Sequence, residues 1–188
     1  MNNTIIYLIG HYGVGKLTIA RQICALTEAR LFDNHLANNV IFSLIRADGK
    51  TPLPENVWDM IGVIRDQAFK AIEGLTPSDT SFVLTNCLLE SDPGDHAAYE
   101  QVQAVAARRG NVFVPVLLAA SDAAHAARVN SPERAERLKH TDVESAADKR
   151  RREPLLRVSH PNRLDLDTST LPPDEAARLI IAHAERLA

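Results

Sequence analysis

Residues 10–16, "GHYGVGK", set glycines and a lysine in the spacing G-x-x-x-x-G-K. Glycines at Gly10, Gly13 and Gly15 allow positive φ and turn successive N–H groups into one concavity that suits an anion. A helix opening just after the loop adds the positive end of its dipole, and Lys16 adds a point charge for β- and γ-phosphates. The next residue is Leu17, where the common form of such a loop carries a hydroxyl that ligates Mg²⁺. Here the hydroxyl comes one place later, at Thr18. A glycine-rich turn that binds nothing is the bland alternative. The motif counts only between a strand and a helix, and the flanking sequence supplies both.

Other residues fit for chemistry sit at the ends of apolar runs. Asp33, Asn34 and His35 follow "RLF"; Thr85 and Asn86 close "SFVLTN"; Thr168 to Pro172 follow "RLDLD". Arg128, Arg134, Arg137 and Lys139 gather in "RVNSPERAERLKH", with Glu133 and Glu136 interleaved as possible helix partners. Arg65 lies in an apolar helical stretch with Trp58, Ile61 and Ile64. It could meet an anionic or polar ligand, or carry its charge out to solvent. Trp58 and the aliphatic stripe read as core.

The elements that must position these residues follow from periodicity. Residues 4–9 are an apolar, β-branched run, read as a buried strand. A helix follows, with Leu17, Ala20, Cys24 and Thr27 at helical spacing and Ile23 beside them. Strands are expected at 30–32, 81–85 and 162–168, and helices within 35–75, including "VIFSLI" and "VWDMIGVIRDQAFKAI". A helix through "HAAYEQVQAVAARR" stops at Gly110. In "NVFVPVLLAAS", Pro115 cannot donate to a central ladder, so pairing is expected from Pro115 to about Ala119. A last helix runs from about Pro173 to Leu187, with Asp174 and Glu175 near its positive end. Alternation of strands and helices implies a parallel sheet covered on both faces, with ligands beyond the carboxyl ends of its strands. The residues named above collect at that edge.

The 188 residues suit one domain, which would bury roughly 70% of its unfolded surface. A net charge of −3 argues against a general nucleic-acid or membrane-surface binder. "DKRRREPLLR" is basic but lacks the interleaved aromatics of a single-strand binder. Cys24 and Cys87 are far apart, match no metal spacing and read as core thiols. The first residues lack the charged and apolar regions of a signal peptide, so a cytoplasmic location is expected.

The loop G-x-x-G-x-G-K-x-T resembles that of adenylate kinase. Element order and length resemble the shikimate, gluconate and nucleotide kinases and chloramphenicol phosphotransferase. The resemblance implies an α/β three-layer P-loop fold, with a five-stranded parallel sheet in the order 2-3-1-4-5 and a helical lid. It implies one kinase domain over 1–188, an acceptor region at about 34–80 and a lid at about 129–153. ATP and Mg²⁺ would be used, the metal held largely through water near Thr18. Gly10, Gly13, Val14, Gly15, Lys16, Leu17 and Thr18 would cradle the nucleotide phosphates. Arg128 would stack on adenine, Arg134 and Arg137 would reach phosphates, and Thr168 and Pro172 would line the adenine side. Asp33 would orient the acceptor hydroxyl or take its proton; its plain alternative is to cap the next helix. The strand-end position that often holds a metal-binding aspartate is Thr85-Asn86 instead. Three functions fit: phosphotransfer to a small-molecule hydroxyl, a nucleotide kinase, or a nucleotide-binding regulator with little turnover. The chain would act as a monomer or homodimer, without nucleic acid or membrane.

Overall fold

A computed structural model describes residues 1–47, 51–129 and 150–187. Its first strand, β1 (Thr4–Ile9), is buried at all six positions, as a central parallel strand covered on both faces must be. Side chains alternate. Ile5, Tyr7 and Ile9 face one core with Phe69, Leu84 and Val102, while Ile6 and Leu8 face another with Ile19, Ile23 and Ile180.

Helix α1 (Lys16–Leu26) rises from the glycine loop, then β2 (Arg30–Asp33) passes directly into α2 (Asn34–Phe42). Helix α3 (Val57–Leu75), β3 (Phe82–Asn86), α4 (Pro93–Arg109) and β4 (Val112–Ala119) follow, then α5 (Asp122–Val129), β5 (Leu164–Asp167) and α6 (Pro173–Glu185). Among the described residues, the strands form one parallel sheet in the order β2-β3-β1-β4-β5. This is the expected α/β topology, with helices on both faces.

Local chemistry explains the boundaries. Asp92 caps α4 by accepting the Gly94 N–H at 2.8 Å, Pro93 opens it, and Gly110 ends it in the left-handed region at φ 67°. β4 differs from expectation: it pairs with β1 from Val112, ahead of Pro115. The Val112 N–H donates to Asn3 O, on the β1 side, so the alternation turns the Pro115 nitrogen the other way. On that side β5 begins only opposite Val116, so the missing donor interrupts no ladder.

Helix α1 buries Ile19, Ala20 and Ile23, leaving Leu17 and Cys24 half-buried and Thr27 as the C-cap, so the core face is rotated from the expected one. The packing of α1 on α6, through Ala176, Ala177 and Ile180, sets that rotation. "VIFSLI" is helical only to Phe42, after which the chain continues in tight turns. No helix among the described residues is long and apolar enough to cross a membrane.

Candidate functional site

The glycine loop leaves β1 at the carboxyl edge of the sheet. Gly13 (φ 82°) and Gly15 (φ 93°) have the left-handed backbone expected of them. Gly10 is needed for a different reason. A Cβ there would stand 2.7 Å from Leu118 O and 2.8 Å from Val14 Cγ2, so the loop can lie against β4 only without one. The Lys16 ammonium donates to Gly10 O (2.5 Å) and His11 O (2.9 Å), bending back over the loop it would share with an anion. Leu17 is half-buried and Thr18 exposed.

Thr168 braces this loop from behind. It is 1% exposed, and its hydroxyl lies 2.9 Å from both Val14 O and Ala119 O, where its proton can serve either carbonyl. Arg128 donates to Thr168 Oγ1 at 3.2 Å and to Thr168 O at 2.7 Å. Asp167 accepts from the Ser169 hydroxyl and N–H, which, with the more distant Arg128 charge, hold its carboxyl below the usual range. Arg128 and Thr168 are thus brought together beside the loop, with Pro172 at the N-terminus of α6. Arg134, Arg137 and Lys139 lie outside the described residues, as does most of the expected lid. Arg150 donates to Ala120 O and pairs with Asp122 at the start of α5.

Asp33 closes β2 opposite Thr85. It is 8% exposed and accepts a short hydrogen bond from the Thr85 hydroxyl. Its side chain makes no cap bond to α2, although it occupies the cap position. A buried carboxylate turned away from its own helix and held by a neighbouring strand is oriented for something other than capping. Asn86, the last residue of β3, accepts the Cys87 N–H at 2.9 Å, which fixes its amide orientation. Its Nδ2 then donates to Tyr7 Oη at 3.1 Å. Asn34 reaches Asn86 Oδ1 at 3.4 Å, and His35 lies 3.3 Å from Asn39.

These strand ends open onto a cavity of about 930 Å³ between α2, α3 and the N-terminus of α4. Asn34, His35, Thr85 and Asn86 line it at the strand ends, with Tyr12 of the glycine loop beside them. Tyr7 and Phe69 are on its floor, and Trp58 and Arg65 come from α3. Trp58 is not core. It is 57% exposed and meets Phe42 edge-on at 5.9 Å, because the α3 face that packs inward carries Val57, Ile61 and Phe69. Cys87 is also on the cavity wall rather than in the core, and Cys24 is half-buried, its thiol pushed up by burial. Glu90 and Asp92 are occupied by backbone N–H groups of Arg157 and Gly94.

Sequence reasoning passed over Tyr7 and Tyr99. Tyr7 was hidden in an apolar strand and Tyr99 in a helix, where each reads as packing. The available signal was one hydroxylated aromatic in an otherwise aliphatic strand, two residues before its end. Nor does any group of three or more His, Cys, Asp or Glu able to hold a metal ion occur among the described residues.

No family model matches this chain, and no curated protein matches it at a significant level. Solved structures do match in fold. A gluconokinase from Sinorhizobium meliloti superposes with a TM-score of 0.60 at 16% identity, covering 99% of this chain and 94% of that one. A sugar kinase from Janibacter gives 0.61 at 15%, over 99% and 96%. The tunicamycin resistance protein of Deinococcus radiodurans gives 0.59 at 18%, over 96% and 94%. The chain therefore has the fold of the small P-loop kinases.

Proposed function

We propose that this chain is an ATP-dependent phosphotransferase that moves the γ-phosphoryl group to a hydroxyl of a small-molecule acceptor. The observation that carries this reading is the adjacency of two spaces at one sheet edge. A glycine loop with Lys16 leaves β1, and the cavity begins at the neighbouring ends of β2 and β3, where Asn34, Thr85 and Asn86 line it and Asp33 lies just behind, against Thr85. The volume lies within the roughly 300–1,000 Å³ common for small-molecule sites. The likeness to a gluconokinase and a sugar kinase supports the same reading through fold.

Each residue then has a definite task. The loop amides and Lys16 bind the β- and γ-phosphates, Lys16 exchanging loop carbonyls for phosphate oxygens. Arg128, Thr168 and Pro172 form the nucleotide-base side. Asp33, fixed by Thr85, accepts the hydrogen bond of the attacking hydroxyl and takes its proton as the new P–O bond forms, with ADP leaving. Such a positioned base is worth about 10²–10⁴-fold. Arg134 and Arg137 would add charge to the transferring group, as an arginine can by about 10³–10⁵-fold.

Magnesium fits in one form only. Leu17 has no hydroxyl and the end of β3 no carboxylate, so neither of these positions offers a direct ligand; the ion would arrive on the nucleotide and meet Thr18 and Asp33 through water. Its chemistry is neutralisation of charge on the β- and γ-phosphate oxygens.

The missing carboxylate also favours a second reading, a nucleotide-binding regulator. Acceptor-dependent ADP release separates the two. With Mg-ATP and pooled sugars, cyclic acids, nucleosides and antibiotics, we expect release in the wild type and its loss in Lys16→Ala. ATP binding that needs Lys16 but yields no ADP with any pool would favour the regulator.

A further inference from the structure

The cavity contains donors that the protein does not use. Arg65 is half-buried on its wall, and its Nε is shut off from solvent. Among the described residues, nothing accepts a hydrogen bond from it or forms an ion pair with it. Tyr7 stands within electrostatic reach of Arg65 and accepts from Asn86 Nδ2, so its own O–H proton has no acceptor among the described residues. Burial keeps that phenol protonated, a donor throughout the physiological range. Behind it, Tyr99 stacks on Tyr7 with centroids 6.4 Å apart, and the Tyr99 hydroxyl is buried without a partner.

Donors without acceptors are unfavourable when shut off from solvent, a cationic one most of all, so two on the wall of one cavity suit an occupant that brings acceptors. The occupant must bring acceptors and no protons of its own at that end. Negative charge suits the guanidinium, whose fork matches two oxygens at once. The cavity also holds carboxylates, but most are engaged. Asp92 takes the Gly94 N–H, Asp95 the Leu89 N–H at 2.8 Å and Asp66 the Gln101 amide, while Asp59 is exposed at the rim.

We propose that Arg65 and Tyr7 form an anion subsite that binds a carboxylate or phosphate group of the acceptor. That this ligand is the phosphate acceptor rests on the phosphotransferase reading; that the pocket binds an acid does not. The link Tyr7–Asn86–Asn34 runs from the subsite to the residue after Asp33. The acceptor is therefore a compact acid with its reacting hydroxyl near the Asp33 end and its acidic group toward Arg65.

The test uses Lys16→Ala protein, so that the glycine loop loses its cation and competes less for the acidic probes. Benzoate and phenyl phosphate are the two acidic probes, with benzyl alcohol as the uncharged one. Trp58, the chain's 1 tryptophan, lines the cavity and reports binding by its emission. At least one acid should bind at least about tenfold more tightly than benzyl alcohol, the worth of one charge-assisted bond. Which acid wins tells carboxylate from phosphate. Adding Arg65→Met should erase the preference, and adding Tyr7→Phe should reduce it. Arg65→Met should also raise the melting temperature of the ligand-free protein by about 2–4 °C, by removing an unmatched charge. Equal binding of all three probes, or a preference that survives Arg65→Met, would overturn the proposal. So would a fall in melting temperature with Arg65→Met, which would mean that the guanidinium already serves the fold. Wild-type ADP release with neutral alcohols alone would sink the anion subsite and keep the phosphotransferase. Arg65-dependent acid binding without ADP release would do the reverse.

Discussion

Around the glycine loop, polar groups are matched inside the protein: Lys16 on Gly10 and His11 carbonyls, Thr168 beside Val14 and Ala119, Arg128 on Thr168. On the cavity wall, Arg65 Nε and the Tyr7 hydroxyl proton face no acceptor among the described residues, and the Tyr99 hydroxyl behind them has none either. The loop side is held ready by its own contacts. The cavity side carries donors that the protein itself leaves for a ligand or solvent to satisfy. Stability and binding should therefore respond with opposite sign on the two sides, and the buried pair Asp33–Thr85 lies on the boundary between them.

The largest effect is expected at that boundary. Asp33→Ala should lower kcat for acceptor-dependent ADP release by about 10²–10⁴-fold while leaving nucleotide affinity unchanged. Equal losses in kcat and in ATP affinity would instead place Asp33 on the loop side. On the loop side, Gly10→Ala forces a methyl against Leu118 O, and the fold must open there. Overpacking of this kind costs about 1–3 kcal/mol, or roughly 2–4 °C of melting temperature for each kcal/mol. Together with the rise expected for Arg65→Met, thermal melting of these two variants would sharpen the contrast most cheaply. A smaller effect is expected at Thr85→Val, which removes the donor that orients Asp33. A loss of about tenfold in kcat with little change in KM, restored by Thr85→Ser, would mark a positioning residue; a KM effect that Ser does not restore would mark packing.

Legibility in the sequence divides along the same line. The phosphate-type loop is a local object, because its glycines and lysine are neighbours in the chain and the backbone does the work. The parallel class was legible in the alternation of strands and helices, with β1's continuous apolar run and Gly110 after α4 as local marks, while the strand order came with the resemblance to the small P-loop kinases. Pro115 misled because its tolerance depends on where β5 begins, a fact about pairing between distant segments. The buried face of α1 was misassigned because Ile19 and Ile23 are chosen by α6, far along the chain. The cavity was least legible. Tyr7, Asn86 and Arg65 come from β1, β3 and α3, and nothing in any one segment says that their donors share a space. Asp33 shows the limit plainly: capping and catalysis place the same residue at the same strand end, and only the Thr85 contact shows the capping contact unused.

The most direct test of the central claim is to follow a radiolabelled γ-phosphate from ATP into organic product, using acidic and neutral hydroxyl acceptors. Phosphotransfer predicts label on an acceptor hydroxyl in the wild type, sharply less in Asp33→Ala and none in Lys16→Ala. Label that stays in ATP, or appears only as inorganic phosphate whatever the acceptor, would contradict it.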